Sequence, residues 1–207
     1  ARKYFHDQGS AARNEIITME NSFHGRTFGG LSATAQKKFH QGFAPLLPGF
    51  KHVPFNNIEA VKQVITPNTC AILVEPLQGE GGVNVAGKAY LNAIRDICTQ
   101  KDLLLIFDEV QTGFGRTGKL FAYENYGVRP DIITLAKALG GGMAIGAMAA
   151  TDQVMKSFVP GTHAATFGGN PMACAAALAN LEILTQKGFL EKTRKVGDYF
   201  KSQLQKL

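Results

Sequence analysis

The 207-residue sequence has no tryptophan and only three cysteines, Cys70, Cys98 and Cys174. The cysteines lie far apart and form no CxxC pair, which argues against a disulfide framework and suits a reducing compartment such as the cytoplasm. The five histidines show no spacing typical of metal ligands. We therefore expect neither structural disulfides nor a metal site.

Long apolar runs are also missing. The longest stretch of apolar and small residues, 138–150, contains four glycines and is shorter than the ~20 residues that a membrane-spanning helix needs. The first residues, Ala-Arg-Lys-Tyr-Phe-His-Asp, do not resemble a signal peptide. We expect no membrane partner.

Charged residues make up only 18% of the sequence, below the ~25% usual for soluble domains. Hydrophobic residues make up 45%, which is enough to form a core and excludes a disordered chain. The net charge of +6 would suit nucleic acid, but the basic residues are dispersed, and the densest stretch, 187–206, is interleaved with Glu191 and Asp198. We expect no nucleic-acid partner. An anionic cofactor, or acidic segments outside this sequence, explains the positive net charge equally well.

Both ends of the sequence are typical of interior segments. Residues 1–8 predict the last turns of a helix that Gly9 ends, and residues 188–207 carry an amphipathic helical pattern up to the last residue. The sequence is thus expected to be the middle of a longer protein, with a large domain at 1–187 and a helix at 188–207 that leads towards a small domain.

Short apolar runs alternate with helical patterns along the chain. Strands are predicted at 15–19, 52–55, 70–74, 103–107, 131–135 and 145–149, and helices at 58–65, 88–101 and 171–186. The last helix has Asn170 as N-cap, Pro171 at its first position and Gly188 just past its end. Since four strands are nearly all apolar, as in strands covered on both faces, we predict an α/β domain with a mostly parallel sheet and helices on both faces.

Polar residues follow three of the predicted strands directly. These residues are Glu75, the pair Asp108 and Glu109, and Lys137. Because ligand sites in parallel sheets gather at the carboxyl ends of the strands, these positions are the first candidates for a functional site.

A Gly-x-Gly-x-x-Gly pattern spans residues 113–118 and suggests a dinucleotide-binding site. Such a site needs the glycines directly at a strand end, opening a helix whose N-terminus meets the phosphates. Here Asp108 and Glu109 end the strand instead, and their charges would repel a phosphate. We interpret the glycines as a loop.

An acid and a lysine at neighbouring strand ends suggest a different cofactor. Lys137 precedes Ala-Leu-Gly-Gly-Gly, a turn where its amine can be approached and activated as a nucleophile. Asp108 leaves an apolar strand and needs a cationic partner, which a protonated pyridine nitrogen would be. Together they suggest pyridoxal phosphate, although spacing alone leaves an alternative open, in which Asp108 pairs with an arginine and Lys137 is a surface residue.

Five motifs decide between these interpretations, because together they resemble the class III aminotransferases, the group that includes the ornithine and acetylornithine enzymes. The motifs follow the family's order and are FHGRT at 23–27, EPLQGEGG at 75–82, LIFDEVQTG with GRTG at 105–118, PDIITLAKALGGG at 130–142 and TFGGNP at 166–171. The resemblance covers essentially the whole chain and implies the fold type I transferase domain that binds pyridoxal phosphate.

The resemblance implies a role for each cofactor-binding residue. Lys137 would hold the cofactor as a Schiff base and move the substrate proton; Asp108 would bind the pyridine nitrogen and Gln111 the phenolic oxygen. Phe23 would stack on the ring, and Glu109 and Val110 would complete the cofactor segment. Thr166 matches the residue that reaches the phosphate of the partner subunit, which implies a homodimer with shared sites.

For the substrate, the resemblance implies that Arg26 receives a carboxylate and that Glu80 gates a second arginine, with Glu75 in support. The implied reaction moves the ω-amino group of N-acetylornithine to 2-oxoglutarate, a step of arginine biosynthesis. Ornithine, succinylornithine and 4-aminobutyrate aminotransferases share most of these residues. Glutamate-1-semialdehyde aminomutase, which uses the same cofactor and lysine, and a non-catalytic fragment remain as alternatives.

The sequence also departs from the family pattern. Ala164 and Ala165 stand where close members often have Gly and Ser, so a hydroxyl contact to substrate is missing. Met143 and Ala144 follow the glycines where a proline is common. The family's phosphate loop and its C-terminal carboxylate-binding arginine are expected before residue 1 and after residue 207.

Overall fold

A computed structural model describes residues 1–207 as an α/β fold, with helices on both faces of a six-stranded sheet. The strands are β1 Glu15–Met19, β2 Phe50–Val53, β3 Thr69–Val74, β4 Leu77–Gln78, β5 Asn84–Val85, β6 Leu104–Asp108, β7 Ile132–Leu135 and β8 Ala147–Ala150. The helices are α1 Arg2–Asp7, α2 Phe28–Ala33, α3 Lys37–His40, α4 Ile58–Val64, α5 Lys88–Gln100, α6 Tyr123–Tyr126, α7 Asp152–Met155, α8 Pro171–Leu184 and α9 Phe189–Leu204. The chain therefore has the predicted α/β class.

The large sheet has the strand order β2-β1-β3-β6-β7-β8. All neighbouring pairs are parallel except β7 and β8, which pair antiparallel at the edge. Because β2 and β3 lie on opposite sides of β1, the order reverses there, and the carboxyl ends next to such a reversal form a crevice suited to ligands. The predicted mostly parallel sheet is confirmed.

The central strands are buried on both faces, as their apolar sequences require. On one face, Leu105 and Phe107 of β6 belong to a core that includes Leu91 and Ile94 of α5. On the other face, the alternate residues Leu104 and Ile106 pack in a second core, with Tyr4 and Phe5 of α1 and Val154 of α7. This two-sided packing fixes the register of the strands whose ends carry the polar residues.

Two predicted strands differ from the observed ones. β2 is Phe50–Val53 rather than 52–55, because Pro54 has no backbone N–H to donate to the sheet. The edge strand β8 is Ala147–Ala150 rather than 145–149, and it runs antiparallel to β7. The other predicted strands, and the helices predicted at 58–65, 88–101 and 171–186, lie within one or two residues of their predicted bounds.

The N-cap of α8 is the one predicted. The side-chain oxygen of Asn170 accepts a hydrogen bond from the backbone N–H of Ala173 at 2.9 Å, and Pro171 follows as the first helical residue. At its far end α8 stops at Leu184, with Thr185 as C-cap; Gly188 instead precedes α9, with φ of 87°.

We expect Asn170→Ala to lower the free energy of unfolding by about 1 kcal/mol, because one N–H of the first turn of α8 loses its acceptor. Urea denaturation followed by circular dichroism measures the change. Asn170→Asp keeps an acceptor at this position and is the matched control. Equal losses in the two variants would show that the cap bond does not stabilise α8.

No helix combines the length and the apolar character needed to cross a membrane.

Candidate active site

The polar residues predicted from the strand ends lie along the carboxyl edge of the sheet. Glu75 follows β3, Asp108 ends β6, and Lys137 comes just after β7. In the parallel register of β6 and β7, Asp108 is paired with Thr134, three residues before Lys137. The acid and the lysine therefore leave neighbouring strands at the same edge, as predicted.

Lys137 occupies an unusual backbone conformation. Its φ is 46°, in the left-handed region that residues with a side chain rarely adopt, and it begins a short 3₁₀ turn, Lys137–Gly140. The side-chain amide of Asn180 in α8 donates to the carbonyl oxygens of Ala138 and Leu139, at 2.6 and 3.2 Å, and so holds this turn. The strained backbone is fixed by its surroundings, while the lysine side chain is exposed.

Asp108 has a partner that the sequence reasoning missed. Its Oδ2 lies 2.8 Å from Nδ1 of His24, and its Oδ1 accepts the backbone N–H of Val110 at 3.0 Å. The side chains of Asp108 and His24 are only 10% and 3% exposed. The only signal for His24 was its position inside the FHGRT motif, next to the predicted Phe23.

Glu75 holds the same loop from another strand. Its Oε2 accepts the backbone N–H of Phe23 at 3.1 Å, and the residue is 6% exposed. Burial raises the pKa of the Glu75 carboxyl to about 7, although His24 and the Phe23 N–H favour its charged form. The Phe23–His24 segment is thus tied to two buried carboxylates at the ends of β3 and β6.

The raised pKa of Glu75 predicts a pH-dependent stability. Between pH of about 4.5 and 7 the unfolded chain binds fewer protons at this position than the folded chain, so folded stability falls as the pH rises. Without cofactor, Glu75→Gln should gain up to about 3 kcal/mol relative to the natural sequence across this window. Denaturation curves of both proteins at several pH values check this, and a difference that is constant with pH would contradict it.

Glu109 turns away from Asp108 into the protein. Its carboxylate accepts hydrogen bonds from the hydroxyl of Thr112 at 2.5 Å and from the backbone N–H groups of Ala122 and Tyr123 at 3.0 and 2.9 Å. Burial raises its pKa despite these bonds. Glu109 thus anchors the loop after β6. Val110, beside it, is half-buried and orients Asp108 through its backbone N–H.

Gln111 and Glu80 are exposed residues beside this edge. The side chain of Gln111 lies against Gly79, where a Cβ would come within 1.8 Å of its Oε1. Gly79 therefore leaves room for the Gln111 amide. Glu80 is exposed in the turn between the short antiparallel strands β4 and β5.

The predicted loop at residues 113–118 is confirmed. The segment consists of turns and opens no helix, and Gly115 and Gly118 have φ of 88° and 82°. The dinucleotide-binding interpretation is excluded, because no helix N-terminus follows β6 directly.

Two clefts flank the edge of the sheet near β7 and β8. One, of about 640 Å³, is lined by Lys137, Phe114, Arg116 and Asn180. The other, of about 750 Å³, is lined by Thr166 together with Ala147 of β8. Thr166 and Lys137 line different clefts.

The polar groups at this edge of the sheet fit pyridoxal phosphate. Each carboxylate oxygen of Asp108 can accept a second hydrogen bond, which leaves room for a cationic ring nitrogen. Two buried polar atoms beside Asp108 have no hydrogen-bond partner. They are Nε2 of His24 and Oγ1 of Thr134, the residue that pairs with Asp108 in the sheet. Such atoms are rare in folded proteins and mark places where a ligand or water completes the structure. The amine of Lys137 is exposed and available to an aldehyde.

Comparison with protein families gives one match over the whole chain. The family described as Aminotransferase class-III matches residues 1–207. Acetylornithine aminotransferases from Caldanaerobacter subterraneus and Methanocaldococcus jannaschii are 56% and 54% identical over 207 residues, 100% of this chain. These residues correspond to 52% of each relative, so the chain spans about half the length of the curated relatives it matches.

Solved structures show the same fold. An ornithine aminotransferase from Toxoplasma gondii superposes with a TM-score of 0.92 at 35% identity, over 99% of this chain and 50% of that chain. An aminotransferase from Bacillus anthracis superposes with a TM-score of 0.90 at 33% identity, over 99% of this chain and 52% of that chain.

Proposed function

Because the chain belongs to the class III aminotransferases, we propose that it is the cofactor-binding part of an enzyme that moves the ω-amino group of N-acetylornithine to 2-oxoglutarate, a step of arginine biosynthesis. The observation that carries the proposal is the pairing of β6 with β7, which sets Asp108 and Lys137 at one sheet edge. The acetylornithine aminotransferases that are more than half identical over the whole chain favour this donor.

The residues that would hold pyridoxal phosphate come from three segments: the loop of Phe23, the end of β6 with its following turn, and the turn of Lys137. Lys137 Nζ would bind its aldehyde carbon, Asp108 its ring nitrogen, Gln111 its phenolic oxygen and Phe23 one face of its ring. When bound, the cofactor supplies a ring that accepts the electron pair left on carbon after a proton departs. His24, at 2.8 Å from Asp108, holds the carboxylate in place.

Proton transfer falls to Lys137. In the cofactor-loaded enzyme, Nζ would act first as the base that takes the proton from the substrate carbon bearing the amine, and then as the acid that gives this proton back. General acid–base catalysis of this kind contributes ~10²–10⁴-fold. Nζ can serve two atoms in turn because the side chain is exposed while its backbone is held by Asn180. Asp108, buried at the end of β6, would hold the ring nitrogen in its protonated form.

Arg26 and Glu80 would serve the substrate, Arg26 as the receptor of a carboxylate and Glu80 as the gate of a second arginine. In the second half of the reaction 2-oxoglutarate takes up the amino group and leaves as glutamate. Both residues are exposed at the carboxyl edge, where a substrate can reach them.

We also propose a cytoplasmic homodimer in which Thr166 reaches the cofactor phosphate of the partner subunit. The separate cleft of Thr166 supports the shared site. The three free cysteines support the cytoplasmic location. Residues 1–187 would form the large domain and 188–207 a helix towards a small domain. The helix assignment is supported by the exposed large apolar side chains of α9, which are Phe189, Val196, Tyr199, Phe200 and Leu204.

The test is glutamate formation from 2-oxoglutarate with each of four donors: N-acetylornithine, ornithine, N-succinylornithine and 4-aminobutyrate. We expect the highest kcat/KM with N-acetylornithine and no turnover when 2-oxoglutarate is omitted. Conversion of glutamate-1-semialdehyde without a second substrate would identify an aminomutase instead and overturn the proposal.

A further inference from the structure

Arg26 lies on an aromatic platform. Its guanidinium carbon is 4.0 Å from the ring centroid of Phe39 and 5.6 Å from that of Phe23. The two rings meet edge to face, with centroids 5.6 Å apart and an interplanar angle of 78°. Phe39 therefore contacts both the arginine and the ring for which the motifs imply roles in substrate and cofactor binding.

The guanidinium of Arg26 forms no hydrogen bond or ion pair within the chain, and this distinguishes it from another arginine in the same aromatic setting. Arg13 lies 3.8 Å from the ring centroid of Phe5, but its N–H groups donate to Asp102 at 2.7 Å and to the carbonyl of Thr69 at 3.2 Å. The donors of Arg13 are used by the protein. Arg26 is held by aromatic rings, and its donors remain free.

Phe39 itself is fixed to the fold through its neighbour. It lies in α3, and Nε2 of the adjacent His40 donates to the carbonyl oxygens of Leu31 and Thr34, at 3.1 and 2.6 Å. These bonds tie α3 to the end of α2. The platform is thus part of the framework between β1 and β2.

We propose that Phe39 is a positioning residue for substrate binding: its ring holds the Arg26 guanidinium ready for a substrate carboxylate. The proposal rests on the aminotransferase function proposed above and deepens it. It assigns a role to a residue outside the motifs that identify the family.

The physical reason is that an aromatic face attracts a cation without using its N–H groups. All five donors of the guanidinium then stay available for a planar, bidentate contact with carboxylate oxygens. An acidic residue that paired with Arg26 would instead occupy that fork. A leucine would preserve apolar volume and lose the attraction of the ring face.

The test measures binding of glutarate to the cofactor-loaded protein by calorimetry. Glutarate has the two carboxylates of 2-oxoglutarate but no carbonyl to react. We expect Phe39→Leu to weaken binding about two- to fivefold, the range of a partly exposed cation–π contact, and Phe39→Tyr to leave it unchanged. Phe43→Leu is the matched control, because Phe43 lies in the same segment, is 51% exposed and contacts no arginine.

A double-mutant cycle separates positioning from a general effect on structure. In an Arg26→Gln background, Phe39→Leu should have no further effect on glutarate binding. Independent losses in the two variants, or glutarate binding that Arg26→Gln leaves unchanged, would overturn the proposal. If glutarate binds and the cycle shows coupling, but no donor transfers its amine, the proposed reaction fails while the platform stands.

Discussion

Replacing Lys137 by alanine should lower kcat for amino transfer by about 10⁴-fold or more. In the proposed mechanism the variant loses both the amine that would hold the cofactor and the base that would move the substrate proton, and proton transfer alone is worth ~10²–10⁴-fold. The loss should fall on kcat, because Arg26, the residue proposed to bind the substrate carboxylate, lies on a different loop. Stopped-flow or steady-state measurement of glutamate formation gives the change.

Lys119→Ala is the matched control for this prediction, because Lys119 is exposed on the loop after β6 and should not contribute to the reaction. A small primary amine added to Lys137→Ala should restore part of the activity, since the missing group is a base at one position. A Lys137→Ala protein that keeps more than a tenth of the natural kcat would exclude Lys137 as the proton carrier.

Asp108→Asn is expected to have the second largest effect, a fall in kcat of ~10²–10³-fold. An amide would not supply the negative charge proposed to keep the ring nitrogen protonated, and removal of one preorganised electrostatic contact at a reacting centre costs about 3–4 kcal/mol in the barrier, or ~10²–10³-fold in kcat. Asp108 is only 8% exposed, and its Oδ2 lies 2.8 Å from Nδ1 of His24. A carboxylate at the surface therefore cannot take its place.

The readout for Asp108→Asn is kcat at saturating cofactor, together with the absorbance of the bound cofactor. Asp152→Asn, an exposed change in the first turn of α7, is the matched control and should have no effect. If Asp108→Asn changes kcat less than threefold, the acid does not act on the ring nitrogen.

The central strands and their polar ends were predictable because their signals are local. A run such as Leu104–Phe107 has to be covered on both faces, and the residue that ends it lies at the ligand-binding edge. The predicted position of Asp108 beside Lys137 follows from this rule and from the adjacency of β6 and β7. The N-cap at Asn170 is local in the same way.

The partner of Asp108 was not predictable, because His24 lies 84 residues away in sequence and meets Asp108 only in the folded sheet. Helices such as α3 are only four residues long and carry too few positions to show a period. The direction of β8 depends on its connection from β7, which contains one 3₁₀ turn and no crossover helix, and this favours antiparallel pairing.

The most direct test of the account is to treat the protein with pyridoxal phosphate, reduce it with borohydride and map the labelled peptide by mass spectrometry. Borohydride fixes the cofactor to the amine that holds it. In the natural sequence Lys137 should be the one labelled residue, and Lys137→Ala should carry no specific label. Labelling spread over other lysines, or a specific label elsewhere, would contradict it.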